Sequence, residues 1–99
     1  MANRVASNPI VLDTFTSDVV ISTGRVKVSK ITIASATAGD IVEFIDKAGN
    51  PVFRLVQSYG TPGSSTEDFD QFVFENGLTF DTSASTGLGS GDLVFIYLA

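Results

Sequence analysis

Residues 25–34 read Arg25-Val26-Lys27-Val28-Ser29-Lys30-Ile31-Thr32-Ile33-Ala34. Apolar and polar side chains alternate, the pattern of a β-strand with one buried face. Val26 and Val28 keep one phase, and Ile31 and Ile33 keep the other. A phase switch within a strand needs a bulge or a change of sheet. Ser29-Lys30 is the expected place, and a strand bent there could serve both sheets of a sandwich.

The same texture continues in both directions. Ile10 to Phe15 and Asp18 to Thr23 are expected strands before it. Ile41 to Ile45 pairs with Val52 to Val56 across Asp46-Lys47-Ala48-Gly49-Asn50-Pro51, where Asp and Gly supply turn chemistry. Ser58 to Asp70 reads as a long loop. Asn76-Gly77 then signals a second hairpin. A three-residue turn, Glu75-Asn76-Gly77, would pair Phe74 with Leu78 and Phe72 with Phe80. Phe72, Phe74, Leu78 and Phe80 would then share one core face, with Gly77 as the left-handed residue. Thr82 to Asp92 is a Ser/Thr/Gly loop. Leu93-Val94-Phe95-Ile96-Tyr97-Leu98 is apolar on both phases, as strands covered on both faces are. Val94, Ile96 and Leu98 are the candidate subunit interface.

No helix-sized window shows a 3.6-residue period. The expectation is an all-β chain, an antiparallel β-sandwich or jelly roll of about eight short strands. Residues 1–9, polar and ended by Pro9, form an N-terminal arm expected to be disordered in the free protein. Residues 10–99 form one domain, in keeping with a length of 99 residues.

Composition narrows the function. Charged residues make up 17% of the chain, against about 25% in a typical soluble domain. Apolar surface covered by another subunit would account for the shortfall. All six bases lie in residues 1–54 beside five acids, a balance of +1; residues 55–99 carry six acids and no base. A basic nucleic-acid face is not expected. The N-terminus lacks the apolar core of a secretory signal, and no apolar run approaches the ~20 residues of a membrane span.

Chemistry is sparse. The chain has no His and no Cys, so Ser-His-Asp and Cys-His sites are excluded. Asp40, Glu43 and Asp46 share a strand, but the two aspartates bracket it as turn residues. Glu67-Asp68-Phe69-Asp70 lacks the spacing of a calcium loop and reads as a solvated acidic loop. Gly87-Leu88-Gly89-Ser90-Gly91 precedes a strand rather than a helix, so it is a flexible loop and not a phosphate cradle. Tyr59 is the best candidate for a stacking aromatic, and one Tyr makes no platform. No enzyme activity, metal or cofactor is expected.

Four segments carry a resemblance. Gly24-Arg25-Val26-Lys27-Val28-Ser29-Lys30-Ile31-Thr32-Ile33 is followed by Ala38-Gly39-Asp40-Ile41-Val42-Glu43-Phe44-Ile45-Asp46. Later come Phe74-Glu75-Asn76-Gly77-Leu78-Thr79-Phe80-Asp81 and the closing strand. Over roughly residues 19–98 this arrangement resembles small β-rich head proteins of tailed bacteriophages, the capsid decoration (cement) and head-fibre or knob proteins. The resemblance implies a virion structural role, a place on the capsid surface after synthesis in the host cytoplasm, and a symmetric homo-oligomer, often a trimer. The major capsid protein would be the partner, with no nucleic acid and no membrane. Arg4, Val5 and Pro9 in the arm are the candidate shell contact. The alternative is a knob or fibre module that binds a host surface or carbohydrate.

Overall fold

Alternation of apolar residues, cut by Gly, Asp and Asn, produces eight strands. They are β1 (Ile10–Leu12), β2 (Val19–Ser22), β3 (Val26–Ala34), β4 (Ile41–Ile45), β5 (Pro51–Val56), β6 (Ser64–Phe74), β7 (Leu78–Phe80) and β8 (Leu93–Leu98). A computed structural model describes residues 3–35, 39–57, 64–89 and 91–99, and the regular structure among them is all strand. The strands form two antiparallel four-stranded sheets, ordered β1-β8-β3-β6 and β2-β7-β4-β5. The chain is a small β-sandwich.

The core lies between the sheets. Ile10, Leu12, Val28, Ile31, Ile33, Phe74, Val94 and Ile96 enter it from one side; Val42, Phe44, Leu78 and Phe80 enter from the other. Phe44 and Phe80 meet edge to face, with ring centroids 6.2 Å apart. Each such side chain is worth about 1.5–3 kcal/mol when fully buried.

The phase switch in β3 falls where the sequence places it. Both ladders of β3 shift register between Val28 and Lys30. Val28 pairs with Leu98 and Lys30 with Tyr97, so Ser29 is an extra residue against β8. Its hydroxyl donates to the Tyr97 carbonyl at 3.1 Å. The bulge turns Val28, Ile31 and Ile33 all inward. The strand therefore stays in one sheet and does not serve both.

The β4–β5 hairpin forms as expected, with Val42 opposite Leu55 and Phe44 opposite Phe53. Asp46 builds its turn. The carboxylate Oδ1 accepts from the Ala48 and Asn50 amides, both at 2.9 Å. These charge-assisted bonds, that from Asn50 foremost, hold the Asp46 carboxyl below its ordinary pKa of 3.8.

Four expectations need correction. β6 pairs with β3, and β7 pairs with β2 and β4, so Glu75-Asn76-Gly77 does not close a hairpin. It carries the chain from one sheet to the other. Phe74 and Leu78 then face each other across the core from opposite layers. Gly77 has φ 89, and a Cβ there would stand 2.9 Å from the Ser22 carbonyl oxygen, so the turn needs glycine. Phe72 is displaced from the core and is 50% exposed, whereas Phe74, Leu78 and Phe80 are buried as expected. Phe72 lies on the edge strand of its sheet, and a second irregularity precedes it. Val28 pairs with Phe72 and Lys30 with Asp68, which leaves two extra residues in β6.

Second, residues 64–70 are not loop; they belong to β6, the longest strand. Residues 58–63, Tyr59 among them, lie outside the described residues. Third, the arm is tied down. Arg4 and Val11 exchange backbone hydrogen bonds of 2.8 and 3.0 Å. The Asn3 carbonyl Oδ1 accepts from the Asp13 and Thr14 amides. Asn8 Oδ1 accepts from the Leu98 amide at 3.0 Å. Fourth, Val94 and Ile96 are 0% exposed and belong to the chain's own core, and Leu98 packs against that core. Val94 and Ile96 are not free to form a subunit interface, whereas Leu98 stays half-buried at the strand's end.

Candidate assembly surface

β8 is a central strand, flanked by β1 and β3. With Val94 and Ile96 committed inward, Leu93, Phe95 and Tyr97 project from the opposite face, each half-buried. Register sets their neighbours. Phe95 lies between Val11 and Thr32, Leu93 beside Ala34, and Tyr97 beside Lys30. Thr66, Ser64 and Asp68 continue these rows onto β6.

The result is an apolar strip with a polar margin. The rings of Phe95 and Tyr97 stand 6.4 Å apart. Lys30 Nζ lies 4.7 Å from the centroid of the Tyr97 ring, a cation–π contact that covers part of it. Thr32 and Thr66 share a hydroxyl hydrogen bond of 2.8 Å. Such a surface suits contact with protein: aromatic and aliphatic groups in the middle, with Lys30 and Asp68 at the rim.

A second apolar feature lies at one side of the sandwich. Phe53, Phe69, Phe72 and Phe74 form a chain of ring contacts at 4.9–5.9 Å. Phe72 and Phe74, with Val52, Glu75 and Gly77, line a groove of about 310 Å³. Another depression, about 370 Å³, lies over β2, β7 and the Asp46 turn.

The acidic residues on and beside β4 do separate jobs. Asp46 makes the turn. Glu43 is buried and accepts from Arg54 Nε at 2.8 Å, while the arginine side chain stays mostly exposed. Asp40 is 4% exposed, and its Oδ2 has no hydrogen-bond partner among the described residues. The backbone of Gly87 (φ 84) packs on it; a Cβ there would come within 2.0 Å of Asp40 Oδ1. Gly87 thus serves close packing rather than flexibility. The acids Glu67, Asp68 and Asp70 lie on β6, and no group of three or more potential ligands able to hold a metal occurs among the described residues.

The arm residues Arg4 and Val5 are exposed and Pro9 is half-buried, beside the β1 edge of the same sheet. The sequence pattern could not tell which phase of β8 would be the outer one. Both phases are apolar, and only the position of the second sheet decides. Compared with known proteins, the chain matches no family model, no curated protein and no solved structure.

Proposed function

We propose that this chain is a non-enzymatic structural protein of a bacteriophage particle. It decorates and stabilises the capsid, as the resemblance in residues 19–98 implies. Its partners are the major capsid protein and further copies of itself, with a trimer favoured. The observation that carries this reading is the half-buried row Leu93, Phe95 and Tyr97 at the centre of an outer sheet face. These residues take the place of Val94 and Ile96 as the assembly surface.

Size sets the strength of such an interface. Four strands spaced about 4.8 Å apart, each some six residues long at about 3.3 Å per residue, offer a face of only ~400 Å². A stable complex uses about 800 Å² per partner. One face of the sheet is therefore too small for a tight dimer. It suits an oligomer that is weak in solution and completed on a shell, where binding to the assembled state stabilises it by mass action.

Light scattering over a concentration series, paired with particle decoration, tests this. Association should rise through the micromolar range and end at a trimer. Phe95→Lys should abolish it, lower shell occupancy and leave the fold intact. A wild-type chain that stays monomeric and a Phe95→Lys variant that decorates particles normally would together overturn the reading.

A further inference from the structure

β6 is an edge strand of 11 residues. It pairs with β3 on one side, and no strand pairs with its other side among the described residues. An edge of this kind presents unpaired N–H and C=O groups to any extended chain of matching chemistry. We propose that it is a docking strand for an extended, basic segment of a partner protein. The segment adds to the β1-β8-β3-β6 sheet along Thr66–Asp68 and sets an apolar side chain in the groove beside Phe72.

Charge identifies the occupant. Glu67, Asp68 and Asp70 lie on the strand, and no base follows Arg54 in the sequence. Glu67 is the register partner of Ile31, and Asp68 that of Lys30. Ile31 points into the core and Lys30 out of it, so acids flank both sides of the edge. Three nearby cations are engaged, Arg54 by Glu43, Arg25 by Glu75 at 3.5 Å, and Lys30 over the Tyr97 ring, while Lys27 lies beside Val73, beyond the Asp70 kink. Pairing β6 with β6 of a second copy would set acid against acid, which is destabilising across strands. A basic strand satisfies both the ladder and the charges.

The groove supplies the apolar half of the recognition. Strand addition draws affinity from main-chain hydrogen bonds and specificity from side-chain pockets. Asp70 sits at φ 66, and its amide donates to Asp68 Oδ1 at 3.0 Å. This kink interrupts the ladder with β3, which resumes at Phe72, half exposed at the groove of about 310 Å³. Phe69 and Phe74 back one side of its ring. The proposal does not depend on a capsid role, and its failure would leave that reading untouched.

The test uses an alternating heptapeptide, Lys-Val-Lys-Phe-Lys-Val-Lys, capped at both ends and titrated into the isotope-labelled full chain. Amide shifts should concentrate on Thr66–Asp68 and Phe72. The counterpart with Glu in place of Lys should bind at least about tenfold more weakly. Backbone N-methylation on the pairing edge should abolish binding. The double variant Glu67→Gln, Asp68→Asn should weaken it about fivefold or more with the melting temperature preserved, and Phe72→Ala should weaken it too. Absence of binding, shifts centred elsewhere, or equal binding of the N-methylated peptide would overturn the proposal.

Discussion

Ile96 and Phe95 are neighbours on β8 with opposite fates, and truncating each in turn reads the strand's register. Ile96 is 0% exposed and pairs with Ile10 and Ile31, both buried. Ile96→Ala removes three carbons at about 0.8 kcal/mol each. The cavity left between two sheets adds to that, because such sites collapse only partly. The total should be about 3–4 kcal/mol, within the usual range for this change. A domain of this size has roughly 5–15 kcal/mol in all. The midpoint of thermal unfolding should therefore fall by more than about 12 °C. Phe95→Ala removes a larger side chain from a half-exposed position and should cost under about 1.5 kcal/mol in the dilute monomer. Urea denaturation of both variants, at low protein concentration, gives the comparison. If Phe95→Ala cost more than Ile96→Ala, the register of β8 and the assignment of its outer face would both be wrong.

Other outcomes follow from single contacts. Arg54→Met strands the buried Glu43 carboxylate and should destabilise by about 1–3 kcal/mol in chemical denaturation, below the full cost of a wholly buried pair because the arginine is solvated. Gly87→Ala forces a side chain into a left-handed residue and against the buried Asp40, and should cost about 2–4 kcal/mol by the same assay. Asp46 has a depressed pKa when folded, so its contribution is present above its unfolded pKa and is lost as pH falls through the lower, folded one. Asp46→Asn should flatten that part of the acid dependence below about pH 3.8, seen as a difference between wild-type and variant denaturation curves.

Local pattern and tertiary assignment diverge in this chain. The phase break at Ser29-Lys30 and the Asp46 turn are properties of a few adjacent residues, and both appear where the sequence places them. The partners of β6 and β7 are not local. Asn76-Gly77 specifies a tight turn but not whether the strands beyond it pair or part between layers. Residues 64–70 lack apolar alternation because their strand lies at an edge, where β3 supplies the ladder and little is buried. The arm is held by asparagine side chains that reach Thr14 and Leu98, the latter 90 residues away, a contact no short window contains. Apolar residues on both phases of β8 mark a strand with two demanding faces. They do not say which face meets the chain's own core.

We propose that this β-sandwich sits on a virus shell and assembles through the outer face of the β1-β8-β3-β6 sheet. Cryo-electron microscopy of particles carrying the chain, at a resolution that shows side chains, tests it most directly. The account predicts Phe95 and Tyr97 within about 4.5 Å of a neighbouring subunit, with Val94 and Ile96 enclosed in the domain. Density for the chain with Phe95 and Tyr97 facing solvent, or particles that lack the chain altogether, would contradict it.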